Sequence, residues 1–152
     1  MKHKFIFKLT TIFWALVGVF VVIISDMILV PLFFPTAEGW AHSIPLMFIS
    51  WVAFFLLGLA LIILVLKKKV EGLLKKFLLL TGASAIGVPV FAILHNLVYG
   101  LFIYFFGQDF WERIGPGGDE PFFFILAVIV CPLGFLVGVI GTIVLLKKGK
   151  RQ

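Results

Sequence analysis

Charge is scarce in this sequence and cysteine almost absent. Only 13% of the 152 residues are charged, seven residues are acidic, and Cys131 is the single cysteine. One cysteine forms no intrachain disulfide, which excludes a disulfide-stapled domain and a membrane thiol oxidoreductase that works through cysteine pairs. A lone cysteine with three scattered histidines also lacks the spacing of a zinc site. Neither GxSxG nor HExxH occurs, and there is no P-loop or dinucleotide fingerprint. The few acids have no EF-hand spacing. The chain therefore offers no catalytic residue and no metal set, its cofactors stay unknown, and the reading leans away from an enzyme.

Apolar residues fill the space that charge leaves. They make up 62% of the sequence, nineteen of them phenylalanine, and the mean hydropathy is +1.22. A soluble domain of this length has no interior large enough for that surface. Runs of 18 or more nearly uncharged apolar residues read as membrane-spanning helices. Four occur, at about 9–30, 44–66, 77–106 and 122–146. The first is longer than a signal-peptide core and lacks a small-residue cleavage site, so it reads as a retained helix. The expectation is an all-α integral membrane protein: one domain over 1–152, four transmembrane helices in a bundle, and a multi-pass topology.

The lysines predict its orientation. Lys2, Lys4 and Lys8 precede the first run. Lys67, Lys68, Lys69, Lys75 and Lys76 fill the middle link, and Lys147, Lys148, Lys150 and Arg151 follow the fourth run. With four crossings, all twelve fall on one side and only Arg113 lies opposite. The positive-inside rule then places both termini in the cytoplasm and the protein in the cell membrane. The net charge of +6 reads as topology anchors near anionic headgroups rather than as a nucleic-acid surface. No basic stripe interleaved with aromatics supports nucleic-acid binding.

Small residues mark the expected packing faces. Gly134, Gly138 and Gly141 recur at spacings of three and four, and Gly18 lies among Ala15 and Ser25. Such stripes let helix backbones approach closely, within one bundle or against another subunit. Pro89 and Pro132 fall inside spans and predict a loosened turn just before each.

Polar residues within the apolar runs are the candidates for function. His95 lies 19 residues past Lys76 and Asp26 lies 18 past Lys8. At ~1.5 Å per residue both reach a depth of about 27–28 Å, near the outer edge of a hydrocarbon core. Asn96 is expected to point into the protein, and Ser25, Asp26, His95, Asn96 and Tyr99 to form an outward-facing polar pocket. Glu38, His42, Asp119 and Glu120 would roof it, and Glu38, Asp119 and Glu120 form an outer acidic cluster. Ionisable residues in spans tend to face an interior or a cavity. An Asp beside a His can poise a proton, and such side chains also offer metal ligands. The plainer reading has the pair hydrogen-bonding between helices, with Asp119, Glu120 and Pro121 capping the fourth helix. "DFWER" reads as a short surface segment with Phe110 and Trp111 dipping inward.

Three functional expectations follow. The first is an accessory, assembly or structural subunit that packs through glycine-rich helix faces, with the lipid bilayer and a homo-oligomer or another membrane subunit as partners. The second is a transporter or channel component that moves a proton or small cation through the polar pocket. The third is a membrane redox or enzyme subunit using His95, with haem held between His42 and His95 as one form.

Overall fold

In the computed structural model the backbone is described for residues 2–33, 37–67, 70–114 and 118–149, and the side chains for 7–33, 44–67, 70–114 and 118–148. The described residues are helical apart from short links at 70–71, 107–109 and 118–120, and none of them forms a strand. α1 covers Lys2–Phe33, α2 Ala37–Lys67 and α3 Gly72–Phe106. A short α4 (Phe110–Ile114) follows. The last rod comprises α5 (Pro121–Ile125), one π-helical turn (Leu126–Val130) and α6 (Cys131–Gly149). Four stretches are long and apolar enough to cross a membrane: Phe7–Phe33, Ile44–Lys67, Gly72–Phe106 and Pro121–Lys148.

The helices extend beyond the apolar runs. The first outer link, expected over 31–43, is largely helical, because α1 continues to Phe33 and α2 begins at Ala37. α3 likewise starts five residues before position 77. Lysine and leucine are good helix formers, so a helix persists where hydropathy has already fallen.

α1 lies beside α2, α2 beside α3, and α3 beside the last rod. At the centre, Phe54 of α2 and Phe20 of α1 both meet the Phe135 ring of α6, with centroids 5.1 and 4.5 Å away. Leu16, Leu61, Leu78 and Ala85 belong to the same buried core. Outward faces carry Phe48, Leu56, Ile93 and Val137, all exposed. Surfaces of that kind suit a hydrocarbon solvent and are exceptional in water.

Pro132 accounts for the π-helical turn. It has no N–H to give to the carbonyl four residues earlier. The turn before it widens, and the Cys131 N–H bonds back to the Leu126 carbonyl, five residues away. Pro89 sits in α3 without breaking the helix.

Glycine sets the distance between rods. A Cβ on Gly58 would lie 2.9 Å from the Gly82 carbonyl oxygen, and one on Gly82 would lie 3.0 Å from the Gly58 carbonyl oxygen. The backbones of α2 and α3 therefore touch where both residues lack side chains. A Cβ on Gly138 of α6 would strike Thr81 Oγ1 and come within 2.8 Å of the Thr81 nitrogen. Gly134 abuts Ser84, and Gly141 the Phe77 ring. The glycine stripe of the fourth rod is thus spent inside the bundle, against α3. Gly18, expected on a packing face, has nothing within 4 Å of a built Cβ and is exposed.

Candidate functional site

The polar side chains collect where α3 meets the start of the last rod. Glu120 is the N-cap of α5. Its Oε1 accepts the Phe122 N–H at 2.8 Å and its Oε2 the Phe123 N–H at 3.0 Å. These are two of the N–H groups that a helix start leaves without partners. Pro121 follows at the first helical position, where a missing N–H costs nothing. Asp119 Oδ1 accepts the Glu120 N–H at 2.8 Å.

The same carboxylate meets His95. Its Nδ1 is 3.0 Å from the Glu120 carbonyl oxygen and 3.3 Å from Glu120 Oε2. A carbonyl only accepts, so Nδ1 carries the hydrogen and donates. Nε2 stands 3.6 Å from Asp119 Oδ1, an ion-pair distance whenever the ring is protonated. Glu120 is only 4% exposed, yet its carboxylate is supplied with donors from two directions. The imidazole lies between the rings of Phe124 and Tyr99, with centroids at 5.6 and 6.4 Å.

An aromatic layer adjoins this clasp. Trp111 is buried, its Nε1 donates to the Tyr99 carbonyl at 3.1 Å, and its ring stacks on Tyr99 at 6.0 Å and 9°. Arg113 Nη2 donates to the Phe106 carbonyl at 3.0 Å, which satisfies one of the free carbonyls at the end of α3. "DFWER" is thus a folded cap on α3. The inward Trp111 ring expected of this segment packs on α3 itself, against Tyr99 and Phe102. The available signal is the aromatic recurrence Tyr99, Phe102, Phe106, which gives α3 a ring-lined face.

The expected pocket residues do not all converge. His95 and Tyr99 share the site with Asp119 and Glu120. Asn96 does not point inward: it is exposed, and its Nδ2 donates to the Ala92 carbonyl of its own helix at 2.8 Å. Ser25 and Asp26 are half-buried on α1, and no hydrogen bond or ion pair joins them to His95. The cavity of about 130 Å³ between the rods is lined on the α1 side by Ile23, Ile24 and Met27, and on the α3 side by Val88 and Ala92. The side chains of Glu38 and His42 lie outside the described residues. Among the described residues, no group of three His, Cys, Asp or Glu side chains is arranged to hold a metal.

This geometry holds two helices together and keeps a histidine in one orientation. Asn96→Leu is accordingly expected to change stability by less than about 0.5 kcal/mol, as for other exposed positions. Thermal unfolding in detergent measures it, and a large loss would restore an inward role for the amide. No family model matches the chain, and comparison with curated proteins and with solved structures yields no match either.

Proposed function

We propose that this protein is a non-enzymatic, multi-pass subunit of the cell membrane, with both termini cytoplasmic, that acts by lateral association with another membrane subunit or a second copy. One observation carries this reading: α1 has a face that the bundle leaves uncovered. Leu9, Phe13, Leu16 and Ile23 bury one side of the helix. At 100° per residue, Ala15, Gly18, Val22 and Ser25 fall on the opposite side, where Gly18 and Val22 are exposed. Small residues on a lipid-facing side allow a further helix to approach closely. Asp26 borders that face and has no hydrogen bond or ion pair among the described residues. Ionisable groups in spans favour a partner or a cavity.

Transport has weaker support. Phenylalanine rings occupy the middle of the bundle, and His95 is tied to the cap of the neighbouring rod rather than to Asp26. A redox role rests on His95 alone.

Gly18→Leu separates association from folding. Open space surrounds Gly18, so the variant is expected to keep the thermal stability of the isolated chain, or to gain about 0.5–1 kcal/mol from replacing a mid-helix glycine. The same variant is expected to lose the stoichiometric partner or self-association seen by cross-linking in membranes. Unchanged cross-linking alongside unchanged stability would remove the α1 face from the reading.

A further inference from the structure

α3 has an exposed face turned away from the clasp. Ile93, Asn96, Leu97, Gly100 and Tyr104 fall within about 100° of arc at 100° per residue, and all five are exposed. His95, which bonds to the last rod, lies on the other side of the helix. Ile93, Leu97, Gly100 and Tyr104 follow one another at spacings of four, three and four. That repeat keeps one helix against another along a seam.

Two features of this face call for a helix rather than lipid. The first is the Asn96 carboxamide. It gives one N–H to the Ala92 carbonyl at 2.8 Å and makes no other hydrogen bond among the described residues, so its second N–H and its Oδ1 are free. The apolar span of α3 runs on to Phe106, about 15 Å further along the helix, and the exposed Leu97 and Leu101 follow the amide. Hydrocarbon offers such a group neither donor nor acceptor, and amides in spans bond across helices instead. The second feature is Gly100, one turn on. A mid-helix glycine is less stable than alanine, and nothing lies within 4 Å of a Cβ built here. No close contact inside the bundle requires this glycine, whereas a further helix packed on the face would.

The amide also selects the helix. A carboxamide presents donor and acceptor side by side, so it is its own complement. Two copies in one membrane share an orientation, and a twofold axis along the membrane normal sets each residue at the depth of its equal. Asn96 then meets the partner's Asn96, and the free N–H of each reaches the Oδ1 of the other. The α1 face does not suit this symmetry, because it would bring two Asp26 carboxylates toward each other. That face fits a different subunit.

We propose that two copies of this chain form a parallel dimer through the outer half of α3, held by reciprocal Asn96 hydrogen bonds across a seam that Gly100 narrows. The proposal rests on the membrane reading above and not on the α1 face.

Cysteine cross-linking of the pure full chain in liposomes tests it, in a Cys131→Ala background. Ile93→Cys, on the seam, is expected to give a disulfide-linked dimer on oxidation. Val137→Cys, also exposed but on α6, is expected to give little or none. Energy transfer between labelled copies, followed as lipid is added, measures the affinity. Asn96→Leu should weaken the dimer about fivefold or more, as for hydrogen bonds between spans. Asn96→Gln keeps the amide and should keep part of the affinity, and Gly100→Leu should abolish the dimer. Neither leucine variant loses a contact within the bundle, so the thermal stability of the dilute chain in detergent should hold, which separates dissociation from unfolding. A chain monomeric at every lipid ratio, equal cross-linking at positions 93 and 137, or a dimer indifferent to both leucine variants each overturns the proposal. So does loss of the Ile93→Cys cross-link in Gly18→Leu, which would move self-association to α1. A chain released from membranes by carbonate washing overturns both readings, whereas an inserted monomer overturns only this one.

Discussion

Gly138→Leu is expected to prevent the bundle from closing. A Cβ at this position already meets the Thr81 hydroxyl, the Thr81 nitrogen at 2.8 Å and the Phe77 carbonyl oxygen at 3.0 Å. Two of these are backbone atoms of α3, which cannot rotate away. Thr81 is itself wholly buried and bonded to Phe77. Even Gly138→Ala is expected to cost about 1–3 kcal/mol through overpacking, despite the better helix propensity of alanine. In a bilayer the loss is felt fully, because lipid supplies no hydrophobic force to press separated helices back together. Thermal unfolding in detergent of Gly138→Ala beside Gly18→Ala is the measurement. The first should fall and the second should hold or rise, and a reversed order would mean that α6 does not meet α3 through this glycine.

Glu120→Ala is expected to detach the outer end of the last rod. It removes the cap of α5, worth about 1 kcal/mol in other helices. It also removes the Oε2 contact to the half-buried His95 ring, whose Nδ1 keeps the Glu120 main-chain carbonyl, and this adds about 0.5–1.5 kcal/mol. The combined loss is roughly 1.5–2.5 kcal/mol. His95→Ala should cost less, since the cap survives. The double variant should lose less than the sum, with a coupling of about 0.5–3 kcal/mol as for groups in direct contact. Glu112→Ala, at an exposed position, is the reference. If Glu120→Ala costs no more than it does, the clasp contributes nothing to stability.

Both predictions concern residues whose types, though not roles, are visible in the sequence. The repeat Gly134, Gly138, Gly141 announces a face for close approach, but α3 as its partner emerges only with the fold. Gly18 meets nothing within the bundle among the described residues, so only the expected packing against another subunit is left for its face. The cap at Asp119, Glu120 and Pro121 is local chemistry and is legible from three adjacent residues. Its bond to His95 joins positions 25 apart and is not. The depth count places Asp26 and His95 at one level, and the structure leaves them unconnected, because depth along a helix says nothing about direction around it.

The limits of that count have a physical basis. A helix in water reveals its buried side, since the other side must be polar. These four helices are apolar all round, so hydropathy reports their length and leaves their rotation undetermined. Asn96 illustrates the result: it sits on an apparent stripe of small residues, yet it faces outward and bonds to its own helix. Composition and spacing were enough for the number of long apolar rods and their approximate ends, because an apolar chain can satisfy its backbone in lipid only as helices of membrane length. Neighbours, rotations and the clasp around Glu120 depended on three-dimensional packing, where shape at a few glycines and rings decides which apolar surface meets which.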